Sequence, residues 1–532
     1  MGSRWKIGAA QQNNFFNLIN YMAMKKHLFL ISFIGITSLC YSNNINVSNV
    51  ALTGQNTVSD FTLVQFDISW DNSWRTSTFE SNWDAAWVFV KYRLKREITW
   101  NHATFNTTGH TTPAGSTITT PTDGKGVFIY KNANGIGTNT WTAAQLRWNY
   151  GVDGLQDNDS VEVCVFAIEM VYVPQGAFYA GDGSVSTIQG QFEAGISGTP
   201  FQVISEAAIV LGGGGAGSLG NNNAAGMFPA DDFGDAATQT LPAAYPKGYT
   251  AYYIMKYEIS QEQYVEFLNK LTYSQQATRT VFAPNSAAGT GALSNSSRNG
   301  IDIQTPGVST ITPAIYACNL NGNSTYSETD DGQNIACNFL IWTDIAAYLD
   351  WSGLRPFTEL EYEKACRGGN LAAVADEYAW GNTTITGATG ITNSGLTNEI
   401  ASNAGANCVY NFVLQGPMRV GNFAQSATNR QNSGGSYYGV MELSGNNMER
   451  PVTVGNATGR TFTGINGDGS LDATGNANAT NWPGTDAIGA GFKGGNWILD
   501  AVYLRVSDRS YAAYGYTGRH ADYGGRGVRI AP

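Results

Sequence analysis

The segment GFKGGNWILDAVYLRVSDRS, residues 491–510, decides how the chain is read. Gly494 and Gly495 stand before Trp497, and Arg505 and Arg509 follow in the same segment. Two glycines, a ring and two cations make up what a binding or catalytic cleft uses for a wall. Yet the segment holds no cysteine, histidine or glutamate. The question is whether this wall carries chemistry or only shape.

The chain has 532 residues, too many for one core, so two or three domains are expected. Hydrophobic residues make up 42% and charged residues only 13%, with 63 glycines. A charged share about half the usual one implies a loop-rich surface of small neutral polar groups, as in extracellular proteins. The net charge of −11 argues against nucleic acid, since phosphate binding needs clustered Lys and Arg. It is compatible with bound cations.

Met24-Lys25-Lys26-His27 is a positive n-region, and Leu28 to Leu39 is an apolar run too short to span a bilayer. Met24–Ser42 therefore reads as a signal peptide behind a short upstream extension, giving a secreted or cell-surface protein with no membrane span. Leu39 before Cys40 is a poor lipoprotein junction, so soluble secretion is favoured. Cys318 and Cys337 flank a polar loop, and an oxidising compartment would permit a bridge between them. Cys366 and Cys408 could form a second, while Cys164 in VEVCVFAI reads as a buried thiol.

Residues 43–168 are read as an all-β sandwich. Strand patterns recur at Thr62–Ile68, Val88–Leu94, Gly126–Tyr130 and Val161–Ile168, separated by turns. Trp70, Trp74, Trp83 and Trp87 are either a sugar-stacking platform or core and rim packing. A second unit, 169–532, opens at MVYVPQGAF and carries a Gly-rich insert, about 183–240. The run GGGGAGSLGNNNAAG in it reads as a flexible loop, and no lysine-serine pair follows to make a phosphate loop. Ser260 with Gln263, and Thr358 with Glu361, are capping boxes that start two helices; Thr343–Leu349 is a third, shorter helix. No βαβ periodicity occurs, so the class is α+β rather than parallel α/β.

In order, the segments MVYVPQGAFYAG, YYIMKYEISQEQYVEFLN, WTDIAAYLDWSGLRPFTELEYEKACRGG, EYAWGN, YYGVMELSGNNMER, GFKGGNW, LRVSDR and GGRGVR resemble the formylglycine-generating enzyme, or sulfatase-modifying factor, family over about residues 169–532. The resemblance implies a C-type lectin-like fold with two helices, small sheets and long loops. It implies an oxidase whose copper is held by two cysteines inside the opening segment. Those positions are Leu499 and Leu504 here, and Asn496 replaces a serine. A related branch holds iron with histidines; this chain has four, His27, His102, His110 and His520, and none pair at ligand spacing. No copper or iron is therefore expected, and no catalytic residue is assigned.

What the resemblance keeps is calcium. Its ligand positions fall on Glu442, Gly445, Asn447 and Glu449, hard oxygen donors on one turn. Ion pairing of Glu442 and Glu449 with arginines is the alternative. Asn403 could belong to a second site, and Asn466–Asp472 resembles either a calcium loop or a plain turn. Tyr511, Tyr514, Tyr516 and Arg519, in SYAAYGYTGRH, are candidate ligand-binding residues. The expected function is a secreted, non-catalytic or divergent family member that binds a protein or glycan. A divergent metal-dependent oxidase and a structural surface or filament subunit are the alternatives.

Overall fold

The computed structural model describes residues 41–42, 45–184, 188–309, 311–424 and 429–532. The signal-like segment lies outside the described residues except for Tyr41 and Ser42, which pair with Asn46 and Ile45. Among the described residues no helix is long and apolar enough to cross a membrane.

Two antiparallel sheets dominate the first third of the chain. One orders the strands Tyr41–Ser42, Ile45–Asn56, Phe61–Arg75 and Gly135–Trp148. Along Phe61–Arg75, Val64, Phe66, Ile68 and Trp70 are buried while their neighbours are half-buried, the period of two that a one-faced strand demands. Those side chains share one apolar cluster with Val88, Val90, Val127, Ile129 and Val165 of the second sheet.

The second sheet orders Val528–Ile530, Tyr252–Met255, Val161–Val173, Asp84–Leu94, Val127–Lys131 and Ser116–Thr119. Val161–Val173 is its common strand. Asp84–Leu94 pairs with residues 161–171, and Tyr252–Met255 pairs with 170–173. The boundary anticipated between 168 and 169 falls inside this strand. Cys164 to Val171 are buried without a break, because both faces of the strand are covered.

The far face of the second sheet carries helices. Trp87, Phe89, Phe128, Phe166 and Tyr253 pack with Tyr264 and Phe267 of α1 (Gln261–Leu268) and with Tyr348, Leu349 and Trp351 of α3 (Trp342–Trp351). Phe89 and Phe166 both meet Trp351 edge-on, at 5.2 and 5.0 Å between centroids, a favoured aromatic geometry. Ser260 caps α1 and Thr358 caps α4 (Glu359–Arg367), each with the expected reciprocal bond from Gln263 or Glu361. A short α2 (Tyr273–Arg279) is capped in the same way by Thr272 and Gln275.

α4 is buried along its whole length, charges included. Glu359 pairs with Arg509, Glu361 with Arg355 and Glu363 with Arg367. Lys364 Nζ donates to the carbonyls of Pro174 and Gly248 at 2.7 and 2.6 Å, and burial lowers its pKa to about 7. A buried charge survives only when paired or hydrogen-bonded, so Arg509 and the carbonyls of Pro174 and Gly248 fix the helix against distant segments.

Two expectations are corrected here. The Gly-rich run is not a flexible loop: Leu219–Asn222 lies in a four-stranded sheet with Gln191–Ala194, Ile209–Leu211 and Gln239–Leu241. Leu211, Leu219 and Leu241 anchor it in an apolar cluster, and Gly212, at φ 70°, has no room for a Cβ, which would stand 2.5 Å from the Ala237 carbonyl. The proposed disulfides are absent: Cys318, Cys337, Cys366 and Cys408 are unbridged, buried thiols, and Cys164 is buried as well. Cys318 Sγ donates to Glu262 Oε2 at 3.6 Å and Cys337 Sγ to the Asn338 carbonyl at 3.8 Å, so each thiol is turned to its own partner.

Candidate functional site

The turn Glu442–Glu449 is where the sequence motifs converge. Gly445 N donates to the Gly494 carbonyl, Glu449 and Lys493 exchange backbone bonds, and Trp497 N donates to the Asn446 carbonyl. Met448 N reaches the Asp522 carbonyl and Gly524 N reaches that of Met448. The opening segment and the 520–526 stretch are thus stitched to this turn from two sides. Gly445, at φ 92°, must be glycine, since a Cβ would meet the Val409 carbonyl at 2.6 Å. Glu442 and Asn446 also hold positive φ, 53° and 67°, a strain that persists only where the surroundings enforce it.

Three buried carboxylates surround one arginine at this turn. Arg526 Nε donates to Glu449 Oε2 at 2.7 Å, and Nη2 donates to the Met441 carbonyl at 2.7 Å. Glu442 Oε1 accepts from Gly421 N at 2.8 Å. Glu258, which the sequence reading missed, accepts from Asn447 N at 2.9 Å and from Asn446 Nδ2. Burial raises the pKa of Glu258 well above the ordinary range, with Glu449 adding to it. Burial pushes Glu442 up to about 7 against the pull of Arg526. Glu258 sits in YEIS, just ahead of the α1 cap; its only sequence signal was membership of that motif.

The donor set suits a hard cation in part. Glu442 Oε2 and Asn447 Oδ1 are buried with no hydrogen-bond partner, the state of an oxygen that a metal could claim. Glu449 is already neutralised by Arg526, so a cation here would share that carboxylate with the guanidinium. Asn403 stands apart, its amide oxygen accepting from Thr389 N at 2.8 Å and its nitrogen donating to the Gly387 carbonyl. Residues 466–472 form a turn: Asp468 Oδ1 takes Ser470 N and Oγ at 2.8 and 2.6 Å. The buried Lys91 Nζ donates to the Gly469 carbonyl at 2.6 Å, and burial lowers its pKa well below the ordinary lysine value.

At the positions of the relatives' cysteines, Leu504 is fully buried with Tyr378, Trp380 and Cys408, and Leu499 is half-buried. Hydrocarbon side chains offer no donor atom to a soft metal. Burial raises the Cys408 thiol well above its ordinary value, which keeps it protonated and unreactive. Asn496 spends its oxygen on Ile498 N and Leu499 N, both at 2.9 Å. Its nitrogen donates to Asp522, whose other oxygen bonds His520 Nδ1. This His–Asp–Asn chain was not foreseen. The three described histidines do not form a triad: His102 bonds the Lys125 carbonyl and His110 bonds Thr120, both in the N-terminal region.

Above this wall runs a row of tyrosines. Tyr503 and Tyr511 lie 5.8 Å apart, Tyr511 and Tyr514 6.2 Å, and Tyr514 stacks on Tyr516 at 5.5 Å. Tyr516 is 38% exposed. Arg450 lies beneath, 4.1 Å over the Phe492 ring, with Nη1 donating to the Tyr516 carbonyl at 2.9 Å. Burial lowers its pKa to about 9. Arg519 is not a cationic tip of this row: it turns inward to Asp344 and to the Phe339 carbonyl. Arg509 holds Glu359 and Asp231, both at 2.6 Å, and Arg505 holds Asp376 at 3.0 Å. The arginines of the opening segment are therefore framework.

The model of the sulfatase-modifying factor enzyme 1-like domain matches residues 162–531. Its start coincides with the common strand Val161–Val173. No curated protein matches the chain. With most of its length matched and the motif segments folded onto one turn, the chain belongs to the sulfatase-modifying factor enzyme family.

Proposed function

We infer that this protein is a secreted, non-catalytic or divergent member of its family that uses the tyrosine face as a binding surface. One observation carries the reading. The row Tyr503, Tyr511, Tyr514, Tyr516 and Tyr523 stands on the wall where Leu499 and Leu504 replace donor residues. Neighbouring rings of mixed polar and apolar character suit the faces of sugar rings or an exposed protein loop. The ligand class we favour is a neutral glycan, with the N-terminal sheets acting as a β-sandwich module beside it. Calcium, held by Glu442, Asn447, the Gly445 carbonyl and Glu449, would act structurally by ordering the turn beneath.

The test is a glycan-binding screen of the secreted chain and of a Tyr511→Ala/Tyr514→Ala/Tyr516→Ala variant, with metal analysis of the same samples. Binding lost in the folded variant supports the reading. Stoichiometric copper or iron, or turnover of a thiol substrate, would replace it with a divergent oxidase.

A further inference from the structure

Residues 319–331, NLNGNSTYSETDD, link the strand Ile315–Cys318 to the segment that leads into α3. Carboxylate oxygens of Glu328, Asp330 and Asp331 lie within 4.8 Å of one another. Asp331 is fully buried; Oδ2 accepts from Glu328 N at 2.7 Å, while Oδ1 has no hydrogen-bond partner. At the root of the loop Asn319 is 6% exposed, and its amide oxygen is also buried without a partner. Its nitrogen donates to Asp302 Oδ2 at 2.8 Å. Asp302 is near enough to feel the cluster: its pKa is raised by burial and by the charge of Asp331.

The contrast with the rest of the protein is chemical. Elsewhere several buried carboxylates face a cation: Glu359 has Arg509, Glu361 has Arg355, Glu399 has Arg298 and Glu449 has Arg526. Among the described residues no ion pair reaches Asp302, Glu328, Asp330 or Asp331. Only neutral amides approach the rim, Asn323 Nδ2 to Glu328 at 2.6 Å and Asn321 Nδ2 to Asp330 at 3.1 Å. Like charges held this close, with the buried Asp331 Oδ1 unspent, need a positive partner.

We propose that the 319–331 loop is a calcium site, separate from the Glu442–Glu449 turn. Its donors are carboxylate and amide oxygens, which select a hard cation over copper or zinc. An irregular loop of this kind suits the flexible coordination of calcium better than the strict octahedron of magnesium. Ser324 at φ 64° and Gly322 at φ 69° fold the loop back on itself and keep the acidic side chains together. The bound ion would pin the loop near α1, whose first turn meets the segment just after the loop through Glu262 N to the Gln333 carbonyl at 3.0 Å.

The test uses the full secreted chain, stripped with EDTA and titrated with calcium chloride by calorimetry. Glu328→Gln/Asp331→Asn is compared with Glu442→Gln. Loss of one calcium equivalent, or at least tenfold weaker binding, in the loop variant but not in Glu442→Gln supports the site. In EDTA the loop variant should melt at or above the wild-type temperature, because repulsion is removed. Unchanged stoichiometry and affinity in the loop variant overturn the proposal. Should that variant fail to fold, Asp330→Asn and terbium emission excited through Tyr326 give the same decision: emission that calcium displaces from wild type, and that Tyr326→Phe abolishes, supports it, and its absence in wild type overturns it.

Discussion

Arg526 and Glu449 form a fully buried ion pair, Nε to Oε2 at 2.7 Å and Nη2 to Oε1 at 2.7 Å. The pair joins the last motif of the chain to the turn that carries the candidate cation ligands. Removing one partner strands the other charge away from water. Arg526→Met is expected to cost about 3–5 kcal/mol, read as a lower urea midpoint at unchanged slope. Arg526→Met/Glu449→Met should recover most of the loss; additive losses would mean that the pair is not the anchor.

Glu442 gives the turn a pH signature. Its folded pKa of about 7 lies above the ordinary 4.5, chiefly through burial. A carboxyl raised on folding keeps its proton longer in the native state, so stability falls as pH rises from about 4.5 to about 7. Without calcium, Glu442→Gln should flatten that stretch of the stability curve. If calcium binds here, it should compete with the proton, and affinity should climb through pH 7 before levelling. A calcium affinity independent of pH over this range would remove Glu442 from the ligand set.

His520 has the opposite partner and the opposite reason for its sign. The hydrogen bond to Asp522 raises its pKa above the ordinary 6.5. A histidine raised on folding contributes stability that is present below 6.5 and lost as pH rises through the folded value. His520→Asn should therefore lower the melting temperature at pH 6 and leave it unchanged at pH 9. Equal losses at both values would show that the ring acts by packing alone.

Leu504 is packed as core, so Leu504→Ala is expected to cost about 2–5 kcal/mol. The paired substitution Leu499→Cys/Leu504→Cys tests the wall itself. If the backbone keeps the relatives' shape, the reduced variant should take up one copper(I) that the wild type does not, read by competition with a chromogenic chelator. No uptake would mean that the backbone, and not only the side chains, has departed.

Four buried thiols make a simple mass prediction. Alkylation after denaturation without reductant should label Cys318, Cys337, Cys366 and Cys408 in full. An unlabelled Cys318–Cys337 peptide pair would restore the disulfide that the thiol contacts with Glu262 and Asn338 argue against.

Local signals carried the sequence reading far. The Ser260 and Thr358 caps were legible because a capping box is a four-residue pattern with one mechanism. Arg505 and Arg509 were legible as two cations of one wall. Their partners, Asp376, Glu359 and Asp231, were not, since they come from distant parts of the chain. The same holds for Glu258 and Arg526, and for Lys91 reaching the Gly469 carbonyl. Composition misled at Gly212, where glycine serves a close backbone approach rather than freedom. Even spacing misled at Cys318 and Cys337, because two thiols near in sequence can point to different neighbours.

The strand Val161–Val173 leaves its partner Tyr252–Met255 to be closed by Val528–Ile530. During synthesis on the ribosome that border therefore stays bare until residues 528–530 have emerged. A nascent chain in this condition exposes unsatisfied backbone groups to its neighbours. A premature stop shortly before residue 528 would leave that border open and yield a sticky product.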